Sequence, residues 1–305
     1  SAVVGGLVVA LGVGASALPV AAEPGDFNPT YADCGLAAST VASGRPWATA
    51  IQPDGKIVEV GGEGTALAVY RFKASGKLDF RVSLRQSLGF GAPTILGQDV
   101  LVQPDGKIVV LVTTPNPTAG PSPDLRVARL NSNGTPDTTF GDDPSPTGAF
   151  EQAIDPGPSP ESYSAQRMVR QDPSGKLVVL LRKTDGTSKL VRIEADGSAF
   201  DATFVPAPEV STPTQPWAIG TDGAELLLAG QNAGSIPATY SLLRLGENGA
   251  LDTGFPATGG FGDIGTGSFV TPTAVVAQAD HSMLVGGTIG TDAITPAPRQ
   301  FGFAR

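Results

Sequence analysis

Apolar residues along this chain come in short alternating runs, each closed by Pro, Asp or Gly. Ile57, Val58 and Val60 follow the turn Gln52-Pro53-Asp54-Gly55-Lys56. The same turn returns as Gln103-Pro104-Asp105-Gly106-Lys107, Pro173-Ser174-Gly175-Lys176 and Asp222-Gly223, with a worn copy at Asp280-His281. Pro presets a turn, Asp tolerates it and Gly supplies a positive φ, so these segments predict hairpin tips between two strands. For the first complete copy the pattern predicts four strands: near Trp47 to Gln52, Lys56 to Gly61, Ala66 to Lys73, and Lys77 to Leu84. No stretch combines a helical period with capping residues, so the elements are short antiparallel strands.

A second motif shares the period. An Arg is followed by a Gly, then by Asp or a relative, with an aromatic three positions beyond: Arg71/Gly76/Asp79, Arg129/Gly134/Asp137/Phe140, Arg192/Gly197/Asp201/Phe204 and Arg244/Gly249/Asp252/Phe255. The first copy has Val82 at the aromatic position. A fifth copy is split, with Arg305 at one end and Gly25/Asn28/Tyr31 near the other. Units of roughly 50–70 residues point to propeller blades rather than solenoid coils. The expected fold is all-β: a five-bladed β-propeller of four-stranded antiparallel blades, its ring closed by the N-terminal strand pairing with the C-terminal blade. Closure removes the unprotected ends of an open stack. The expected divisions are a leader (1–22) and a propeller (23–305). Within the propeller, 23–34 is the closing strand and the blades are approximately 45–84, 97–141, 165–205, 214–256, and 270–305 completed by 25–33.

The run Q-P-D-G-K, then A-x-R-L, a Gly loop and L-D-x-x-F resembles the delta-60 family of β-propeller repeats, found mainly in bacterial exported proteins. Its best copy is Val127-Ala128-Arg129-Leu130 with Asn133-Gly134-Thr135-Pro136-Asp137-Thr138-Thr139-Phe140-Gly141. The fourth unit keeps Leu251-Asp252 and Phe255 but lacks the hairpin Pro and Lys, and the fifth has His281 in place of Gly. The family is defined by its repeat, so the resemblance implies a fold and export and assigns no reaction.

Ser1 to Ala22 carries no charged residue and ends in Val20-Ala21-Ala22, the small residues a signal peptidase accepts. A signal peptide is expected, with a retained membrane anchor as the alternative. No Met or basic segment precedes it, which implies that the natural chain starts earlier. Location is therefore expected to be secreted or in the cell envelope. The single cysteine, Cys34, is read as a buried residue beside the closing strand, with an intermolecular disulfide or reactive thiol as alternatives. A net charge of −9 without an offsetting basic cluster argues against nucleic acid and anionic membranes as partners. No integral membrane domain is expected unless the leader is retained.

A residue required in every blade is required by the blade. Arg71, Arg129, Arg192, Arg244 and Arg305 with Asp79, Asp137, Asp201, Asp252 and Asn28 are accordingly read as inter-strand and turn locks, and the aromatics as filling between blades. One histidine, His281, excludes any triad or metal cluster built on several imidazoles. No cofactor motif is present in usable context; Asp142-Asp143 could hold calcium but lacks a spaced oxygen array. Function is expected where the repeat is broken: two insertions, Pro115 to Asp124 and Gly141 to Ser164, the second with Phe150 and Tyr163, and the two tryptophans, Trp47 and Trp217, each after a Pro. Trp47, Trp217, Phe150 and Tyr163 are the candidate ligand-binding residues. The expected function is a non-catalytic binding or scaffold module for a glycan or protein at the cell surface. The alternative is a glycoside hydrolase or lyase using unrepeated carboxylates such as Asp99, Glu59 and Asp263.

Overall fold

The structure is a computed structural model that describes residues 44–63, 66–84, 88, 96–113, 124–142, 148–154, 163–183, 185–210, 214–232, 240–255, 269–290 and 300–304. Residues 1–43, and with them the expected leader, Cys34 and the closing strand, lie outside the described residues, as do Arg305, Asp143 and Asp263.

Among the described residues seventeen strands form five antiparallel meanders. The first contains β1 (Gly44–Ile51), β2 (Ile57–Glu63), β3 (Ala66–Phe72) and β4 (Leu78–Ser83). The second contains β5 (Leu96–Val102), β6 (Ile108–Thr113), β7 (Asp124–Leu130) and β8 (Ala149–Ala153). Three strands each make the third, β9 (Tyr163–Arg170), β10 (Leu177–Lys183) and β11 (Ser188–Ile193); the fourth, β12 (Thr214–Asp222), β13 (Glu225–Asn232) and β14 (Tyr240–Leu245); and the fifth, β15 (Phe269–Ala277), β16 (Met283–Gly290) and β17 (Gln300–Ala304).

The second strands β6 and β10 are near-continuous apolar runs because both of their faces are covered. Ile108, Val110 and Val112 pack with Val58, Val60 and Leu67 of the first sheet, while Val109 and Leu111 face Leu177 and Val179 of the third. Val178 and Leu180 in turn meet Leu226 and Leu228. Leu227 and Ala229 meet Val275 and Val285 of the fifth. Each such buried aliphatic side chain contributes about 1.5–3 kcal/mol, so stacking is what makes these short strands stable. The first strands lie next to one another in the order β1, β5, β9, β12, β15, and no contact of similar extent joins β15 to β1 among the described residues.

Two segments depart from the expected four-strand unit. Part of the segment read as an insertion, 141–164, is β8, which pairs with β7 and carries Phe150 into the core. After β11 the chain forms turns and a short 3-10 helix (Pro208–Val210) instead of a fourth strand. Pro206 and Pro208 cannot donate to a ladder. The intervening backbone bonds to the next sheet, through Val205 N–H to Asn248 O (3.1 Å) and Ala207 N–H to Gly249 O (2.9 Å).

Candidate functional site

The two ends of the sheets are built differently. At the end bearing the Gln-Pro-Asp-Gly hairpins, the repeat residues form locks between neighbours. Arg129 donates Nε to Asp137 (2.7 Å) and Nη1 to the Ala195 carbonyl of the third sheet (2.8 Å). Arg71 does the same with Asp79 and Ser132 O, and Arg192 with Asp201 and Glu247 O. In each case the acceptor carbonyl lies three residues beyond the next unit's Arg. The hairpin lysines complete two of these locks: Lys107 reaches Asp137 (3.0 Å) and Lys176 reaches Asp201 (2.7 Å). Burial opposes ionisation of Asp137 and Asp201. The hydrogen bonds from Thr139 and Lys107, and from Lys176 and Thr203, outweigh it and hold both carboxyls well below the usual carboxylate range.

The repeat aromatic and the repeat Gly are two halves of one contact. Gly134, Gly197 and Gly249 all have positive φ, and each lies against the aromatic ring of the preceding unit. A Cβ on Gly197 would stand 2.7 Å from the Phe140 ring, and one on Gly249 would stand 3.1 Å from Phe204. In the first unit the ring against Gly134 belongs to Phe80, not to the residue at position 82 where the sequence spacing places it. Arg71 lies over that ring at 4.4 Å, as Arg129 does over Phe140. In this unit β4 already runs through Asp79 and Phe80, with a register shift against β3 between Arg71 and Phe72, where the second and third units turn after the Asp.

At the opposite end, where the first strands begin, the sheets share a feature that was not anticipated. Each first strand carries one extra, unpaired residue at the same level: Trp47, Gln98, Gln166, Trp217 and Thr273. Such bulges re-aim a side chain and interrupt pairing. Three of the five follow a proline, Pro46, Pro216 and Pro272, which is the sequence signal that could have located them, while Gly97 and Ala165 precede the other two. Residues 114–123, which make up most of the first expected insertion, and 155–162 of the second lie outside the described residues.

These bulges hold two of the four candidate residues. Trp47 lies across Gly62, where a Cβ would be 2.6 Å from the indole. Trp217 is covered on one face by the Arg182 guanidinium, 3.3 Å from the ring centroid, and its Nε1 has no hydrogen-bond partner. Phe150 and Tyr163 are placed elsewhere. Phe150 is fully buried and meets Phe200 edge-on at 5.1 Å, and Tyr163 lies in the same core with Lys183 and Lys189 each 5.4 Å from its ring.

Of the carboxylates considered for catalysis, the two described ones, Asp99 and Glu59, belong to different sheets. Asp99 follows the β5 bulge and accepts Val100 N–H (2.9 Å) and Met168 N–H of β9 (2.8 Å), bolting two first strands together. Burial pushes its carboxyl up. Glu59 lies on the face of β2 turned away from the second sheet, beside Tyr70, and burial raises it too. Asp142 accepts Glu151 N–H (3.1 Å). Among the described residues no group of three or more His, Cys, Asp or Glu could hold a metal ion, and no helix is long and apolar enough to cross a membrane. His281 takes the hairpin glycine's place with φ 61° and bonds Asp222 of the fourth sheet (2.9 Å). An open cleft of ≈ 330 Å³ between the second and third hairpins is lined by Gln103, Asp105, Arg129, Arg170 and Ser174, but Arg129 and Arg170 are already paired with Asp137 and Asp172.

Residues 52–79 and 103–140 match the family model described as a domain of unknown function (DUF5122) beta-propeller. The fold is a β-propeller. Its matched segments run from the hairpin Gln to the repeat Asp in one unit and to the repeat aromatic in the next, so they contain the locks described above. No curated protein matches the chain. Similar solved structures include virginiamycin B lyase from Staphylococcus aureus, 13% identical with a TM-score of 0.46, covering 84% of this chain and 69% of that one. A PL25 ulvan lyase is 11% identical with a TM-score of 0.48, covering 85% and 69%. The β-propeller domain of the Trilobed protease from Pyrococcus furiosus is 12% identical with a TM-score of 0.45, covering 85% and 66%.

Proposed function

We propose that this chain is an exported five-bladed propeller that acts as a non-catalytic binding module for a glycan or protein, with its site at the end where the five first strands begin. The five meanders serve as blades, and the segment 25–33, which carries the missing half of the fifth repeat, supplies the outer strand beside β17. The observation that carries the reading is the bulge at one level of every first strand, which frees Trp47, Gln98, Gln166, Trp217 and Thr273 from ladder pairing at equivalent positions of the five sheets. Two of these are tryptophans, suited to stacking on a sugar ring or anchoring a peptide. Both oxygens of Asp99 already accept backbone N–H groups, which weighs against a hydrolytic carboxylate pair there.

The test is a glycan and cell-wall polysaccharide binding screen on residues 23–305, with a product assay on every hit. Binding that is lost in Trp47→Ala or Trp217→Ala without turnover is the expected result. Turnover would overturn the non-catalytic reading, and binding untouched by both substitutions would move the site away from the rim. Deleting residues 23–34 should lower the unfolding midpoint; an unchanged melting curve refutes ring closure by that segment.

A further inference from the structure

The inter-sheet arginines follow one rule, and Arg182 breaks it. Arg71, Arg129, Arg192 and Arg244 each hold a carboxylate of their own unit. Arg182, at the end of β10, holds none among the described residues: its guanidinium stacks on Trp217, and its Nη1 is buried without a hydrogen-bond partner there. Trp217 Nε1, on the ring beneath it, is also a buried donor left without an acceptor among the described residues. Two neighbouring orphan donors, one of them cationic, are costly unless something accepts from both. Burial is also the sole influence on the Arg182 pKa and lowers it, as expected of a cation that no anion offsets.

The surroundings complete the picture. In the sheet register Arg182 stands opposite Ser164 of β9 and Ser188 of β11. The Ser188 hydroxyl bonds Pro216 O (3.4 Å), and Ser164 Oγ accepts from the bulged Gln166 (2.7 Å). Lys183 and Lys189 belong to the other face of the third sheet, at the Tyr163 ring, so Arg182 is the cation of these three that faces Trp217.

We propose that Arg182 and Trp217 form a carboxylate subsite within the rim, and that the ligand it selects is an acidic saccharide. The guanidinium and the indole N–H donate to the uronate carboxylate, while Ser164 and Gln166 meet the sugar hydroxyls. Small neutral polar groups around a single planar cation suit a hydroxyl-rich ring bearing one carboxylate better than a run of acidic side chains. This inference rests on the rim being a binding site, and it adds the ligand class.

The experiment titrates the ¹⁵N-labelled 23–305 chain with trigalacturonate, and in parallel with galactotriose and an Asp-rich hexapeptide, following the two indole N–H signals. Trp217→Phe assigns the Trp217 signal. Trigalacturonate alone should move that signal, and Arg182→Gln should weaken the interaction about 10-fold or more, the loss expected for a hydrogen bond to a charged group. Arg182→Lys should fall between them, since it keeps the charge and loses the planar fork. An unmoved Trp217 signal, an equal response to galactotriose, or an equal response to the acidic peptide each overturns the proposal. A neutral-glycan response carried by Trp47 would overturn this subsite while leaving the wider reading of the rim standing, whereas no glycan response in this titration or in the screen overturns both.

Discussion

Asp137→Asn removes one charge from the best-enclosed lock and nothing else of comparable size. In the native chain Asp137 Oδ2 accepts Arg129 Nε (2.7 Å) and Lys107 Nζ (3.0 Å), while Oδ1 accepts the Thr139 amide (3.1 Å) and hydroxyl (2.7 Å). The Asp137 and Arg129 side chains are only 4% and 8% exposed. The substitution leaves two cations facing a neutral amide, one of them buried, and breaking such a pair costs about 3–5 kcal/mol. Asp252→Asn is the internal control, because it cuts the same bond in the fourth sheet, where Arg244 and Asp252 are 31% and 27% exposed and Glu225 stands 3.5 Å away as a second partner. An exposed pair of that kind is worth about 0.2–1 kcal/mol. Urea unfolding at neutral pH, with slopes compared so that only midpoints are interpreted, should place Asp137→Asn far below Asp252→Asn. The folded-state pKa of Asp137 lies below its unfolded value. Its contribution is therefore complete above the ordinary carboxylate range of about 3.9 and is lost as pH falls through the folded value. The gap between wild type and Asp137→Asn should close in strong acid. Equal costs for the two substitutions, or a gap that persists in acid, would refute the lock as the source of the stability.

Three further outcomes follow from the same geometry. Gly223→Ala meets open space and should cost only the positive-φ penalty of about 1–2 kcal/mol, whereas Gly197→Ala must also displace Phe140 and should cost about 1–3 kcal/mol more by urea midpoint. Asp99→Asn presents an amide donor to Met168 N–H or Val100 N–H and should cost about 1–3 kcal/mol, with faster hydrogen exchange at those two amides; unchanged exchange would remove Asp99 as the bolt between β5 and β9. His281 should titrate above its ordinary value of about 6.5 because of Asp222. Its stabilising bond is then complete below that pH and lost as pH rises through the folded value. Asp222→Asn should return the imidazole to its ordinary titration by NMR.

The strands and turns were legible because their causes are local. Pro-Asp-Gly fixes a hairpin whatever surrounds it, and β1 to β4 begin and end within a few residues of the expected bounds. The role of the repeat Arg was legible only in part. Its tie to its own Asp is a short-range spacing, but its second bond, to a carbonyl of the next sheet, joins residues such as Arg129 and Ala195 that no window along the chain connects. Phe80 shows the limit from the other side: the repeat offset names position 82, and the packing role falls two residues earlier in a unit whose β4 runs on through Asp79. Phe150 was read as a loop aromatic because its flanks are rich in Pro and Ser, yet five residues suffice for an edge strand that buries it.

The bulges explain why the rim, rather than the repeat, is where selectivity can reside. A lock must keep the same chemistry, since Asp79, Asp137 and Asp201 are each answered by an Arg whose other arm holds the neighbouring sheet, and substitution at one position orphans two others. A bulged residue has no ladder partner to satisfy, so Trp, Gln and Thr occupy equivalent places in different sheets without altering the register beyond them. The five positions are thus held to one geometry by the strands while being free in chemistry. Arg182 extends this freedom by one strand. It sits where the sheet register supplies two serines and no acid, and it is stabilised by the one indole that β12 brings within stacking distance. A guanidinium in that setting keeps its charge unanswered within the described fold, and a ligand that brings a carboxylate to the Trp217 bulge answers it without disturbing any lock.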